Sequence, residues 1–367
     1  MLRTARYVVL GGVALLALSA PVGALGAGGT ASLSAATASA PRPLFGVLHT
    51  PRNRTALTLG APTWNFSYVF GGPTFTDTFV GTNPTSGAST TVPTYIIPIK
   101  LKLGTFTASP TKKLSNGKTV IANTTSSPIF QSGINFIQGG TAVGNTQYID
   151  AFQRAALWGT VSTHTGYHVL LGTPVVKPLQ SLTVPAGQGV VAKAFGVKVI
   201  IANINWFDAQ AQSMITSLGI PSNALPIFLT TQSYLSQNSG TSGCCIGGYH
   251  NVSSAGLPYA QFTYIQKSGA FSQDVSALSH EIGEYVDDPF TNNTDVPAAC
   301  SVNHIYEVGD PLETEANFGD VPYALGGFTY PLQDLVMPPY FGAPTSTSVN
   351  GWSTFQGTTI GICANGG

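Results

Sequence analysis

The sequence predicts an α+β fold, with a β-rich N-terminal half and a mixed sheet with packed helices in the C-terminal half. Three observations lead to this prediction. Apolar runs in the first half lie between clusters of Gly, Pro, Ser and Thr, as strands do. From residue 185 the apolar segments follow the order strand, helix, strand, strand, helix, which is typical of helices packed on a mixed sheet. A hydrophobic content of 43% over 367 residues supplies a sizeable core.

The first 27 residues have the pattern of a secretory signal peptide. Arg3 and Arg6 precede a short apolar run, and small residues follow it. Residues 28–44, rich in Ser, Ala, Thr and Pro, predict a flexible leader. No later stretch approaches the roughly 20 apolar residues that a transmembrane helix needs. We therefore expect a secreted protein, extracellular or periplasmic, with no integral membrane span.

Residues 45–180 are predicted to form a β-rich region. Within it, TQYIDAFQRAALW at residues 146–158 predicts an amphipathic helix, because apolar residues recur at helical spacing. Asp150 lies in its first turn, where the helix dipole favours a carboxylate. The strands predicted in this region cover residues 63–70, 91–104 and 118–125.

Residues 181–367 are predicted to contain the mixed sheet and a helix that carries candidate metal ligands. That helix carries Asp274 in its first turn and ends at Pro289, and apolar residues between them repeat at three- and four-residue steps. The remaining predictions are one or two strands in 189–206, a helix over 207–220, strands over 224–232 and 257–266, and a loop, GCCIGGYH, at 243–250.

Four cysteines in a chain predicted to be exported favour two disulfides. A bridge between the adjacent Cys244 and Cys245 would be strained. We therefore expect this pair to bridge to Cys300 and Cys363. A zinc ribbon is the alternative, but the sequence lacks the paired C-x-x-C spacing of such sites.

Charge is unevenly distributed although the formal net charge is zero. All fifteen Lys and Arg lie at or before Lys267, whereas twelve of the fifteen Asp and Glu lie at or after Asp274. Carboxylates concentrated in this way repel one another unless solvent or a cation neutralises them. The segment predicts either a solvated acidic face or a cation site, and it argues against binding to nucleic acid.

The predicted helix contains the motif H-E-x-x-E at residues 280–284. Residues four apart lie on one helix face, so His280 and Glu284 can ligate one ion, with Glu281 beside them. Zinc hydrolases of the H-E-x-x-H type use this spacing, with the intervening Glu as the base that takes a proton from water. A surface helix with only solvating roles is the alternative.

A third ligand is expected from YEVGDP, which follows a turn-rich stretch able to return the chain to the helix. In thermolysin-like peptidases the third ligand is a Glu on the following element, so Glu307 as ligand and Asp310 as its support resemble that plan. The exchanged roles, with Asp310 as the ligand, are the alternative. We expect Zn, which accepts carboxylate oxygen as well as histidine nitrogen. Ca or Mn is the alternative, because one histidine with carboxylates makes a harder donor set than two histidines.

LSHEIGEYVDDPFTN and EVGDP, with GYH upstream and TQYIDAFQRAALW earlier, resemble a group of exported bacterial proteins described as zinc-peptidase-like. More distantly, the helix motif and the E-x-G-D stretch are similar to the plant phosphate-induced, exordium-like secreted proteins. The resemblance covers mainly the C-terminal third and lacks the second histidine of proven peptidases. It implies a zincin-like core, a zinc-type site at His280 and Glu284, and an extracellular role.

Other histidines offer further candidates. His250, on the predicted Gly-rich loop, is placed to stabilise an oxyanion across the ion, although such a residue more often caps a turn. His304 is an alternative fourth ligand, whereas His164 and His168 are expected to be structural. Serine or cysteine hydrolases are disfavoured, because no G-x-S-x-G elbow is present and the cysteines are expected in bridges.

Two functions are compatible with these patterns. The first is an exported metal-dependent hydrolase, a zinc metallopeptidase acting on peptides or proteins, with residues 257–266 as an edge strand that an extended substrate pairs with. The second is a non-catalytic secreted protein that binds a cell surface or glycan and keeps the metal as a structural clamp. An open coordination position next to Glu281 favours the first, and closure by protein oxygens favours the second.

Overall fold

The computed structural model describes residues 44–47, 60–69, 73–293, 307–312, 315, 317–337, 344, 348–349 and 352–357. Its helices are α1 (Val120–Thr125), α2 (Tyr148–Ala156), α3 (Trp158–Val161), α4 (Ile204–Ser217) and α5 (Ser276–Asp287), with short 3-10 turns at Pro84–Ser86 and Asp310–Leu312. Its strands are β1 (Leu44–Val47), β2 (Thr63–Val69), β3 (Thr74–Val80), β4 (Thr90–Val92), β5 (Thr94–Leu103), β6 (Phe106–Ala108), β7 (Ile134–Gln138), β8 (Thr141–Thr146), β9 (Val169–Leu171), β10 (Val175–Val176), β11 (Gln180–Thr183), β12 (Gly189–Ala194), β13 (Val197–Asn203), β14 (Leu225–Thr231), β15 (Ser233–Ser236), β16 (Cys244–Val252), β17 (Pro258–Tyr264), β18 (Asp320–Leu325), β19 (Phe328–Gln333), β20 (Val336–Met337), β21 (Ser348–Val349) and β22 (Trp352–Thr354).

One large mixed sheet organises the fold, with its main strands in the order β10, β5, β14, β17, β16, β15, β13, β12. Strands β5, β14 and β17 are parallel, whereas β16 runs antiparallel to both of its main neighbours, β17 and β15. The predicted strand-rich α+β fold is confirmed. Because β5 pairs directly with β14, the predicted N-terminal region and the predicted C-terminal region contribute to the same sheet.

The sheet separates two hydrophobic cores. Successive residues of β14 enter different cores: Ile227 and Leu229 pack with α5 on one face, and Phe228 packs with α4 on the other. Since both faces are covered, β14, β16 and β17 are buried along their whole lengths. This arrangement places α5 in the interior, where all twelve of its residues are buried.

The strand predicted at residues 118–125 is wrong, because this segment forms α1. Its Val, Ile and Thr content favours a strand locally. Thr119 nevertheless caps the helix, as its hydroxyl accepts a hydrogen bond from the amide of Ala122 at 3.1 Å. The helix also directs Asn123 into the interior, where its amide donates to Asp274.

The loop predicted at GCCIGGYH is also wrong, because these residues form most of the buried strand β16. Glycine here allows close approach of the sheet to its neighbours. A side chain at Gly248 would collide with the carboxylate of Glu281, and one at Gly247 would collide with Ser272. Strand β17 is not an edge strand either, since it lies between β14 and β16, so no substrate strand can pair with it.

The other predicted elements are confirmed, and most of their ends agree with the prediction to within three residues: β2, β4 with β5, α2, the β12–β13 pair, α4, β14, β17 and α5. Asp274 differs in detail, because it precedes α5 with a φ of 53° instead of lying in its first turn. Within the described residues, no helix is both long and apolar enough to cross a bilayer. The predicted signal peptide lies outside those residues.

Cys244 and Cys245 begin β16, and their sulfur atoms are in contact with each other. Cys300 and Cys363 lie outside the described residues. The two bridges expected from the sequence therefore stay predictions.

Candidate metal centre

Helix α5 supplies three side chains to a buried polar cluster. His280 and Glu281 are completely buried and Glu284 is 1% exposed. As the four-residue spacing predicts, Nε2 of His280 lies 2.8 Å from Oε1 of Glu284. The helix is held against β16 and β17 on one side and β19 on another, so these groups face the protein interior.

Gln333, at the end of β19, orients the imidazole of His280. Its Nε2 donates to the carbonyl of Phe318 at 2.9 Å, which leaves Oε1 as the acceptor facing the ring. That oxygen lies 2.6 Å from Nδ1 of His280, so Nδ1 carries the hydrogen. Nε2 is thereby directed at Glu284 and at Oδ1 of Asp310, 3.5 Å away. This is the support that metal-ligating histidines ordinarily have.

His250 enters the cluster from β16, the strand packed against α5. Its Nε2 lies 3.2 Å from the carbonyl oxygen of Asp288, and because a carbonyl only accepts, Nε2 carries the hydrogen. Nδ1 then faces Oε2 of Glu284 at 3.0 Å and Oε2 of Glu281 at 3.7 Å. Sequence reasoning placed this histidine on a loop, whereas the strand brings it into the centre itself.

The segment 307–312 crosses the same end of the cluster and is tied to β20 by a backbone hydrogen bond from Val336 to Val308 at 2.8 Å. Glu307 is 7% exposed. The side chain of Asp310 is 34% exposed and is the most accessible acid of the cluster. Gly309 lies directly against the imidazole of His280, where a Cβ would collide with the ring.

Two groups in this cluster can hold a metal ion: His280 with Glu281 and Glu284, and His250 with Glu284 and Glu307. Within each group the ligand atoms all lie within 4.8 Å of one another. Both oxygens of Glu281 and of Glu307 are buried and accept no hydrogen bond within the part of the chain described. Buried carboxylates without donors are costly unless a cation is present, so these residues fit a metal ion.

Burial and mutual repulsion raise the pKa values of most acids in the cluster. Burial raises the pKa of Glu281 to about 8. Burial and the charge of Glu284 raise the pKa of Asp310 to about 7, and burial followed by the same charge raises that of Glu307 well above its usual range. Burial also opposes ionisation of Glu284, but the two histidines outweigh it and lower its pKa.

The pKa values of both histidines are raised as well, by the carboxylates and against the effect of burial. Burial lowers the pKa of His250, but its contacts with the carboxylates of Glu281 and Glu284 outweigh burial and raise the pKa to about 10. For His280 burial is again outweighed, here first by the charge of Glu284, and the pKa is also about 10. Within the described residues, all five ion pairs have histidine as the cation, so the carboxylates gain no support from Lys or Arg in such a pair.

The structure brings together six of the residues proposed for the site: His250, His280, Glu281, Glu284, Glu307 and Asp310. Of the two acids in EVGD, Asp310 lies near His280, whereas Glu307 groups with His250. His304 lies outside the described residues. His168 pairs with Asp150 at 2.7 Å, away from this cluster. Sequence reasoning missed Gln333, because nothing in FTYPLQ marks a residue that will support a histidine.

Comparison with protein families, with curated proteins and with solved structures gives no match for this chain. The resemblance to exported zinc-peptidase-like proteins therefore stays a prediction.

Proposed function

We propose that this protein is a secreted metal-dependent hydrolase, of the zinc metallopeptidase type, whose ion is held by His280, Glu284 and Asp310. The observation that carries the proposal is the position of Glu281. Its carboxylate is completely buried, lies with His280 and Glu284 in one of the groups that can hold an ion, and accepts no hydrogen bond from the described residues. A buried carboxylate beside a cation site is what a general base for hydrolysis requires.

When bound, the ion supplies Lewis-acid activation of water and of a substrate carbonyl. Glu281 receives the proton of the attacking water. Without a cation, burial keeps its pKa at about 8, and a nearby positive charge favours the ionised form that can act as a base. Gln333 keeps the ligand nitrogen of His280 in position through the 2.6 Å contact to Nδ1.

Substrate reaches this centre from the side of Asp310, whose side chain is 34% exposed while those of His280 and Glu281 are completely buried. Peptides are the proposed substrate class, because the H-E-x-x-E motif is similar to the motif of zinc peptidases. The earlier idea of a peptide pairing with β17 is excluded by its position inside the sheet.

A structural metal clamp in a non-catalytic binding protein is the second candidate, and the burial of the centre favours it. Metal analysis of the purified chain followed by a broad peptide-substrate screen tests both functions. Bound metal with metal-dependent hydrolysis supports the first. Bound metal that raises thermal stability without hydrolysis supports the second, and the absence of metal binding contradicts both.

A further inference from the structure

Two histidines contact the two oxygens of a single carboxylate, that of Glu284. Nε2 of His280 lies 2.8 Å from Oε1 of Glu284, and Nδ1 of His250 lies 3.0 Å from Oε2 of the same residue. In each ring the other nitrogen faces an oxygen that only accepts, Oε1 of Gln333 or the carbonyl of Asp288. Each imidazole therefore directs its remaining nitrogen toward Glu284.

The geometry separates the ligands into two groups that share one member. His280, Glu281 and Glu284 form one group, and His250, Glu284 and Glu307 form the other, with ligand atoms within 4.8 Å of one another in each. Two donors that each lie about 2.1 Å from one ion can be at most about 4.2 Å apart. Each group therefore fits one ion after small side-chain movements.

The charges of the cluster favour more than one cation. Four carboxylates converge here: Glu281, Glu284, Glu307 and Asp310. Within the described residues the ion pairs of these acids are formed with histidine. One divalent ion balances two of the four negative charges, whereas two divalent ions balance all four and reduce the repulsion between buried carboxylates.

We propose that the centre is dinuclear, with Glu284 as a bridging carboxylate. His280 and Asp310 complete the first site, because Oδ1 of Asp310 lies 3.5 Å from Nε2 of His280 and leaves Glu281 free to act as the base. His250 and Glu307 complete the second site. The first site is that of the proposed function, on which this inference rests, and the second ion is the addition. Two-metal hydrolases hold their ions about 3.5–4 Å apart, a separation that a bridging carboxylate spans. Histidine with carboxylates suits Zn²⁺, Mn²⁺ or Fe²⁺.

The test is the metal stoichiometry of the purified full-length chain, stripped with a chelator and then titrated with Mn²⁺. We expect two Mn²⁺ per chain and an electron paramagnetic resonance spectrum with exchange coupling between them. His250→Gln is expected to reduce the stoichiometry from two to one and to abolish the coupling. The control His164→Gln, at a histidine outside the cluster, keeps both ions and the coupling.

A single Mn²⁺ in the parent protein overturns the dinuclear centre but leaves the proposed function intact, whereas no Mn²⁺ overturns both. Two ions without coupling, or two ions retained in His250→Gln, also overturn the proposal. Circular dichroism shows whether each variant folds. If His250→Gln does not, Glu307→Gln against the control Glu315→Gln makes the same comparison, with one ion expected in the first and two in the second.

Discussion

Oε1 of Gln333 lies 2.6 Å from Nδ1 of His280, and this contact determines which nitrogen of the histidine faces the acids. The two residues are 53 positions apart in the chain. Gln333 is held in turn by the carbonyl of Phe318 and, through its backbone amide, by the hydroxyl of Ser279. The orientation of the His280 imidazole thus depends on where β19 lies beside α5.

Gln333→Leu is expected to weaken metal binding about 10- to 100-fold, because the imidazole of His280 loses the acceptor that orients it. Isothermal titration with Zn²⁺ measures the change. Gln131→Leu, at an exposed glutamine, is the control and should bind as the parent does. Equal affinity in Gln333→Leu and the parent would show that this contact does not support a ligand.

Two variants are expected to distinguish the role of a general base from that of a metal ligand: Glu281→Gln and Glu284→Gln. Glu281→Gln should keep the metal and lower hydrolysis about 10²- to 10⁴-fold, because the general base is lost. Glu284→Gln should lose metal, because a neutral amide is a weak ligand. Metal content and hydrolytic rate are measured together for both variants. Full hydrolysis in Glu281→Gln would remove this residue from the mechanism.

Gly309→Ala is expected to displace the segment that carries Glu307 and Asp310, because the added Cβ would collide with the ring of His280. We expect a loss of about 1–3 kcal/mol in the free energy of unfolding and weaker metal binding. Gly240→Ala is the matched control, since its Cβ would have no neighbour closer than 3.9 Å. Denaturant unfolding with and without Zn²⁺ measures both effects. Equal losses in the two variants would contradict the steric argument.

Metal binding is expected to release protons at pH 7. In the absence of metal the pKa values of His250 and His280 are about 10, raised by the carboxylates despite burial, so both rings carry an extra proton. A ligand nitrogen must lose that proton. Apparent affinity should therefore rise as pH increases toward 10 and fall on acidification. Calorimetric titrations in two buffers of different ionisation enthalpy count the protons, and a count of zero would contradict the proposed ligands.

Asp274 is expected to make the fold less stable as pH rises from about 4 to 7. Burial raises its pKa from 3.8 to about 7, so in this range the folded state binds more protons than the unfolded state. The loss is complete above pH 7 and is on the order of 4 kcal/mol at most. Asp274→Asn should reduce this dependence by the share of Asp274, and asparagine tolerates the φ of 53° found there. Thermal unfolding of parent and variant at pH 5 and 8 measures it, and an unchanged pH dependence would be the contrary result.

Local periodicity predicted the elements whose pattern is complete within a few residues. Helix α5 and its pair His280 and Glu284 follow from three- and four-residue spacing, which is a property of the backbone helix itself. Segments with mixed signals were mispredicted. In β16 the glycines indicated a loop, whereas their advantage in the strand comes from tertiary contacts, because Ser272 packs against Gly247 and Glu281 against Gly248.

By itself, the sequence determined the α+β class, the helix that carries the H-E-x-x-E motif and the concentration of acids without Lys or Arg in the last hundred residues. These are features of composition and of local spacing. Only the tertiary structure decided that His250 enters the centre, that Asp310 lies near His280 and that Gln333 orients that ring. Such contacts join residues far apart in the chain, and they depend on strand order and on how α5 packs on the sheet, which no local pattern specifies.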